Sequence, residues 1–157
     1  LLPLERGYLH ATRLGALILA IVVGALLLVA YLLFWPLLLE RGAPGFIPWL
    51  AIPVAGVMAW MVAIAPARRF RAWGYALAGD ELHVAHGVWT WVHTIVPLAR
   101  VQHLDIAQGP IDRLFRISRL IVHTAGTDHA VVVLPGIARE TAEELRDVIR
   151  AHIRQPV

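Results

Sequence analysis

Charged residues are absent from two long stretches of the chain and common after them. None occurs from Leu14 to Leu39 or from Phe46 to Ala65. A helix rises about 1.5 Å per residue, so roughly 20 apolar residues span the hydrocarbon core of a bilayer. The pattern therefore predicts two transmembrane helices followed by a soluble domain. The predicted segments are residues 1–13, the two-helix region 14–65 with spans at about 14–37 and 46–65, and the domain 66–157.

The connection between the two spans is short and rich in turn residues, so the spans run antiparallel and form a hairpin. Arg6 and Arg13 precede the first span, three arginines follow the second, and the connection has only Arg41. Basic residues near the ends of spans favour the cytoplasmic side. We therefore expect both termini in the cytoplasm. The three arginines after the second span are Arg68, Arg69 and Arg71.

Both predicted helices carry small residues at every fourth position. Small residues at this spacing let helix backbones approach closely in a bilayer. We interpret them as packing within the hairpin, and an interface with another membrane chain is the alternative. The spans contain no ionisable side chain of the kind that marks transport sites, so the hairpin is predicted to be an anchor. The small residues are Ala16, Ala20, Gly24, Ala51, Ala55, Ala59 and Ala63.

Short alternating segments separated by turn residues predict a β-rich soluble domain. The longest alternation runs from Val88 to Val96, where Trp89, Trp91 and Ile95 have one parity. Alternation of this kind is typical of a strand covered on one face. The candidate strands are Trp73–Leu77, Glu81–His86, Val88–Val96, Val101–Ile106, Leu120–Thr124 and Ala130–Leu134, and one of the turns is Ala125–Asp128.

The last segment changes to a helical period, with charged residues on the opposite face. Pro135 and Gly136 are predicted to end the preceding strand. The pattern as a whole favours a strongly bent antiparallel sheet closed by a C-terminal amphipathic helix. The apolar residues at helical spacing are Ala138, Ala142, Leu145, Val148, Ile149 and Ile153.

The amino-acid composition excludes several kinds of catalytic and binding site. The chain has no cysteine, which excludes thiol catalysis, disulfides and cysteine-ligated zinc. Its single serine, Ser118, lies outside any nucleophile motif, and no phosphate-binding glycine loop is present. We therefore predict no catalytic residue, no cofactor and no enzyme activity. A formal net charge of +3 gives no support to nucleic-acid binding.

Eight histidines raise the question of a metal site. His103 and Asp105 have the same parity on a predicted strand, and a neighbouring strand would bring His93 or His123 to them. A metal ion would need three or four such ligands with oriented partners. We therefore predict hydrogen-bonded strand histidines and no metal site.

Arginines and tryptophans are the candidate contact residues of the domain. The arginines after the second span lie where each basic residue near an anionic leaflet contributes about 1 kcal/mol of attraction. A second arginine set, spaced by three, is predicted to contact lipid headgroups or an acidic partner, with a solvated loop as the alternative. Open sheet edges and exposed aromatics favour association. The second set is Arg113, Arg116 and Arg119, and the aromatics are Trp89 and Trp91.

Several motifs together carry a family resemblance. They are Trp-Gly-Tyr-Ala-Leu from Trp73, Pro-Leu-x-Arg-Val-Gln-His from Pro97, Gln-Gly-Pro from Gln108 and Thr-Ala-Gly from Thr124. In this order they resemble the bacterial pleckstrin-homology (PH) domain of YdbS-like membrane proteins. The paired helices ahead of the domain match that family's layout, so the resemblance covers nearly the whole chain. The family usually has glycine at the position of Arg116.

The resemblance implies a membrane α-hairpin followed by a mainly β, PH-like barrel of two nearly orthogonal sheets, closed by a C-terminal α-helix. It also implies a non-enzymatic protein of the bacterial inner membrane, and it does not imply phosphoinositide binding. We expect a membrane-anchored adaptor that binds copies of itself or a longer relative with repeated PH domains. The alternatives are a sensor of anionic lipid headgroups and an accessory subunit of a larger membrane complex.

Overall fold

The computed structural model describes residues 1–42, 44–125 and 131–154. Contacts within the chain define two units. The helical unit is Thr12–Pro66, and the β unit combines Leu1–Ala11 with Ala67–Val157. The predicted turn Ala125–Asp128 and the start of the sixth predicted strand at Ala130 fall partly or wholly on residues 126–130, which lie outside the described residues.

Two long apolar helical stretches supply the helical unit. Helix α1 (Arg6–Glu40) is continuous over 35 residues and includes Pro36 near its end. The second stretch begins with a 3₁₀ turn, Ile47–Leu50, and continues as α2 (Ala51–Ala63) and α3 (Ala65–Arg71). Both stretches are long and apolar enough to cross a membrane, which confirms the two predicted apolar helices.

Contacts inside the helical unit show that α1 and α2 run antiparallel. The Nη2 atom of Arg13 donates a hydrogen bond to the carbonyl oxygen of Ala63, with a distance of 3.4 Å. Near the middle of α1, Gly24 faces Met58, whose Cε atom lies 3.6 Å from the position of a Cβ on the glycine. The start of α1 therefore lies beside the end of α2, as the short connection requires.

Within the described ranges, six strands form two three-stranded antiparallel sheets in the β unit. A 3₁₀ turn, Leu98–Arg100, joins the sheets, and a short helix, α4 (Pro110–Leu114), lies between the first two strands of the second sheet. Helix α5 (Arg139–Arg154) follows the last strand. The first sheet is β1 (Gly74–Ala78), β2 (Glu81–His86) and β3 (Val92–Pro97), and the second is β4 (Val101–Ala107), β5 (Ile117–Thr124) and β6 (Val131–Ala138).

The core lies between the two sheets and is covered by α5. Every second residue of a strand points to the same face, and the inward-facing positions of both sheets are apolar and buried. Ala142 and Ile149 of α5 are fully buried against them. Two sheets with one helical wall are a PH-like sandwich, which confirms the predicted fold class, with two separate sheets in place of one bent sheet. The inward residues are Leu82, Val84, Val96, Leu104, Leu120, Val122 and Leu134.

The N-terminal segment is part of the β unit. Leu2 and Tyr75 exchange two backbone hydrogen bonds, with N···O distances of 2.6 and 3.0 Å, so the segment extends the edge of β1. The side chain of Leu4 is only 4% exposed and belongs to the core. Residues on both sides of the helical unit in sequence therefore build one β unit.

The third strand begins at Val92, so the prediction of a strand from Val88 is wrong. The chain reverses direction at Gly87, which has φ +132° and lies so close to Thr90 that a Cβ would overlap the Thr90 carbonyl oxygen. Residues 88–91 therefore form a loop. Trp89 and Trp91 are loop residues, and their alternation does not reflect a strand.

The sixth strand runs through Pro135 and Gly136, so the prediction that they end it is wrong. Ser118 pairs with Ile137 and Leu120 with Leu134, which leaves two residues of β6 opposite one residue of β5. This is a β-bulge, where a proline removes no ladder hydrogen bond. Gly136 takes φ +65° there.

The predicted apolar face of the last helix is only partly correct. Ala142 and Ile149 are buried and Leu145 packs against the core. Ala138 belongs to β6, because the bulge lets the strand continue to that residue. Val148 is 42% exposed, since it lies at the edge of the stripe that faces the sheets. The side chain of Ile153 lies outside the described residues.

Candidate functional site

The arginines that follow the second apolar stretch lie on α3 and point to solvent. The side chains of Arg68, Arg69 and Arg71 are all exposed. The guanidinium carbon of Arg68 lies 5.4 Å from the ring centroid of Trp89, within the range of a cation–π contact. The structure therefore joins two predicted contact sets, the arginines of α3 and the tryptophans of the loop before β3.

The second arginine set does not form one free patch. Arg119 donates two hydrogen bonds to Oδ2 of Asp112, at 2.8 Å from Nη2 and 3.2 Å from Nε. The same oxygen accepts a hydrogen bond from the backbone N–H of Gly109 at 3.1 Å, and this bond caps the start of α4. Arg119 thus fixes the start of α4 to strand β5. Arg116 is exposed at the end of α4, with φ +54°.

Arg113 contributes to a polar pocket of about 320 Å³ in the β unit. Arg139 and Arg146, two turns apart on α5, face it from the other side. Arg139 donates to Oε1 of Glu143 at 2.9 Å, and within the described residues the side chain of Arg113 has no hydrogen-bond or ion-pair partner. The remaining lining residues are Ile106, Gln108 and Ser118.

This pocket favours an anionic ligand. It holds three arginines against one carboxylate, and a guanidinium with five donors can bind an anion while it keeps one ion pair. Arg146 donates to Asp147 at 2.8 Å, and this hydrogen bond lowers the pKa of Asp147 from its usual value. Sequence reasoning missed Arg139 and Arg146. Their spacing by seven is the helical signal that puts them on one face.

The outer face of the second sheet combines two histidines, an aspartate and apolar residues. His103 and Asp105 of β4 lie beside His123 of β5, with Nε2–carboxylate distances of 2.8 and 3.3 Å from the two rings to Asp105. His93 instead contacts His83, at 3.2 Å between ring nitrogens. These are hydrogen-bonded strand histidines, and no group of three potential ligands in the described ranges is arranged to hold a metal ion.

An exposed apolar row continues this outer face to the edge strand. The register pairs His123 with Val131 and Ile121 with Val133, which places all four side chains on the same face. Val131 and Val133 are 49% and 40% exposed. Among the described strands β6 pairs only with β5, so no described strand covers its outer backbone edge at Val131 and Val133. Farther along the strand the N-terminal segment covers part of this edge, because the N–H of Glu5 donates to the carbonyl oxygen of Gly136 at 2.9 Å. The sequence pattern predicted open sheet edges but did not show that β6 forms one of them.

Some of the small residues of the two apolar helices line a groove. Gly24, Ala51 and Ala55 line it together with larger apolar side chains, and its volume is about 510 Å³. Ala16 and Ala20 are half-buried on α1. Ala59 and Ala63 are exposed on α2. The structure therefore brings three of the seven small residues together and leaves two others uncovered.

Comparison with known proteins agrees with this architecture. The family model described as "Bacterial PH domain" matches residues 7–153. The chain is 31% identical over 129 residues to UPF0699 transmembrane protein YdbS of Bacillus subtilis (strain 168), which covers 82% of this chain and 75% of that protein.

A second relative is longer. UPF0699 transmembrane protein YdbT of Bacillus subtilis (strain 168) is 26% identical over 100 residues, which is 63% of this chain and 20% of that protein. No solved structure matches the chain. The match to the family model over most of the length, together with the two apolar helices and the two-sheet domain, shows that this membrane protein belongs to the bacterial PH domain family.

Proposed function

We propose that the protein is a non-catalytic, membrane-anchored adaptor. The α1–α2 hairpin anchors it in the bacterial inner membrane with both termini in the cytoplasm. The PH-like domain binds another PH-domain membrane chain, either a second copy or a longer relative with repeated domains. The contact surface is the outer face of the second sheet together with the open edge of β6.

The distribution of basic residues supports this orientation. Arg13 lies at the start of α1's apolar stretch, and α3 carries Arg68, Arg69 and Arg71 directly after the second stretch. The connection between α1 and α2 has only Arg41. Short basic segments next to apolar spans stay preferentially in the cytoplasm. Both segments of the β unit, one before the first span and one after the second, are then cytoplasmic as well.

The exposed pair Val131 and Val133 on edge strand β6 carries the adaptor proposal. An edge strand presents unpaired N–H and C=O groups, and native proteins normally protect such edges with charges, proline or a covering segment. In β6 such protection is confined to the bulge at Pro135 and Gly136, whereas at Val131 and Val133 both outward side chains are apolar and at least 40% exposed. Strand addition to such an edge is a common mode of protein recognition.

The chemistry of the single serine supports a non-catalytic role. Ser118 is 1% exposed, and its hydroxyl donates to the carbonyl oxygen of Ile137 at 3.4 Å. A nucleophile needs an adjacent base and access to substrate. Ser118 has the position of a structural residue inside the second sheet.

The test is the mass of the complex that co-purifies with the tagged full-length chain from its own membranes. We expect a mass above that of one chain in detergent, and we expect Val133→Lys to reduce it to one chain by placing a charge on the edge. Val148→Lys is the matched control, because Val148 is 42% exposed but lies on α5. A single-chain mass for the unmodified protein would contradict the adaptor function.

The polar pocket favours a second candidate function, the recognition of an anionic headgroup. The observation that supports this function is the position of Arg113, whose guanidinium lines the pocket and has no hydrogen-bond or ion-pair partner in the described part of the chain. Glycerol 1-phosphate should raise the thermal unfolding temperature of the full-length protein, and Arg113→Ala should remove the shift. Arg150→Ala, an exposed arginine of α5 that does not line the pocket, serves as control. An equal shift in both variants would rule the site out.

A further inference from the structure

The loop between β2 and β3 exposes an unusual amount of aromatic surface. This tryptophan loop, residues 87–91, contains no charged residue. Trp89 is 87% exposed and Trp91 is 63% exposed. Large apolar side chains grouped on a surface mark contact sites. Tryptophan in particular is enriched where an apolar ring meets the polar layer of a membrane.

The contact between Trp89 and Arg68 links this loop to α3, the helix that follows the second apolar stretch in sequence. Arg68 follows the end of α2 at Ala63 by five residues, which is about 7.5 Å of helix and at most about 18 Å of extended chain. The guanidinium carbon of Arg68 is 5.4 Å from the centroid of the Trp89 ring. Chain connectivity alone therefore limits how far Trp89 can lie from the end of the second apolar stretch.

The charges around the loop match an anionic leaflet. Arg68, Arg69 and Arg71 are exposed on α3, and each basic residue held at such a surface contributes about 1 kcal/mol of attraction. Arginine keeps its guanidinium at the phosphates while its aliphatic stem contacts apolar groups. Exposed tryptophans beside exposed arginines thus supply the apolar and the cationic half of an interfacial contact.

We propose that the tryptophan loop inserts Trp89 and Trp91 into the headgroup region of the same leaflet that the α3 arginines contact. The ligand is the protein's own anionic membrane, and the loop gives the PH-like domain a second attachment in addition to its covalent anchor. Two attachments restrict rotation of the domain about the hairpin. This docking surface is separate from the open edge of β6 and does not require the adaptor function.

The absence of cysteine allows a direct test with a single spin label. Thr90→Cys places a nitroxide in the exposed loop, and Val148→Cys places one on exposed α5 as the matched control. The full-length labelled chains are reconstituted in vesicles of phosphatidylcholine with or without phosphatidylglycerol. Collision rates with oxygen and with a water-soluble nickel chelate then report whether each label lies in lipid or in water.

In phosphatidylglycerol vesicles we expect the oxygen-to-nickel ratio at residue 90 to exceed that at residue 148 severalfold. Replacing both Trp89 and Trp91 with alanine should lower the ratio at residue 90 to the aqueous value. These exposed side chains contribute little to the core, and an unchanged thermal unfolding temperature of the double variant verifies that the domain stays folded. Equal ratios at the two labels, or shielding of residue 90 from both reagents by protein, would overturn the proposal.

Discussion

Arg116 occupies a backbone conformation that side chains other than glycine rarely adopt. Its φ is +54°, and it lies immediately after Phe115, the C-terminal cap of α4. The backbone N–H of Arg116 donates to the carbonyl oxygen of Arg113 at 3.2 Å, which holds the chain in this turn. Helices often end on a residue with left-handed backbone angles, and glycine is preferred there because it has no Cβ.

Replacing Arg116 with glycine should therefore stabilise the β unit. The left-handed conformation costs an L-residue about 1–2 kcal/mol, whereas glycine adds about 0.5–1 kcal/mol of chain entropy to the unfolded state. The expected net gain is about 0.5–1 kcal/mol, since the exposed Arg116 side chain has no ion-pair partner within the described ranges. For a domain of this size the gain raises the unfolding temperature by about 2–8 °C.

The assay is thermal unfolding of the full-length protein in detergent, followed by near-ultraviolet circular dichroism. Arg116→Ala is the matched control, because it removes the same charge but keeps the Cβ, and its unfolding temperature should stay near that of the original protein. Arg113→Gly, inside exposed α4, should lower the temperature, since glycine within a helix costs about 1 kcal/mol. An equal gain from Arg116→Ala and Arg116→Gly would refute backbone strain as the cause.

Three further substitutions test the core and its pH dependence in the same unfolding assay. Gly136→Ala should lower the free energy of unfolding by about 2–4 kcal/mol, because its φ is +65° and the new methyl would overlap the Tyr8 ring. An unchanged unfolding temperature would contradict this packing. Leu120→Ala should lower the free energy of unfolding by about 2–5 kcal/mol. Leu114→Ala, at a 68% exposed position, should change it by no more than about 0.5 kcal/mol. Burial and, secondly, Glu5 raise the pKa of Tyr75 above 10.0, so the unfolded state loses its proton first and stability falls as pH rises above about 10. Tyr75→Phe should flatten that fall, and an identical pH profile would exclude Tyr75 as its source.

Long-range regularities made much of the fold predictable from the sequence. The charge-free stretches identified both apolar helices, and period-two alternation located Glu81–His86 at the bounds that β2 has in the structure. The helical period of the last segment gave α5 and its buried residues Ala142 and Ile149. These signals are averages over many residues, so single exceptions do not hide them.

Local backbone geometry explains the two wrong predictions of strand boundaries. The alternation that includes Trp89 and Trp91 continues without a break into β3, and only the positive φ of Gly87 shows that the chain turns there. A proline followed by a glycine commonly ends a strand. The strand continues through Pro135 because a bulge opposite Arg119 removes the need for its missing N–H.

Contacts between residues distant in sequence limited the prediction of the candidate sites. The spacing by three of Arg113, Arg116 and Arg119 gave no sign that Asp112 engages the last of them. The pocket joins Arg113 to Arg146 only after α5 has packed against the second sheet. Side-chain partners of this kind depend on tertiary structure, whereas the apolar pattern depends mainly on each segment.

Photo-crosslinking from position 133 in living cells tests the adaptor function most directly. A benzophenone side chain replaces Val133 on the open edge of β6, and the control chain carries it at Val148 on α5, where exposure is similar. The crosslinked species are identified by mass spectrometry. We expect position 133 to capture a PH-domain membrane chain, either a second copy or a longer relative, and position 148 to capture none. Uncrosslinked single chains from position 133 would contradict the proposed function.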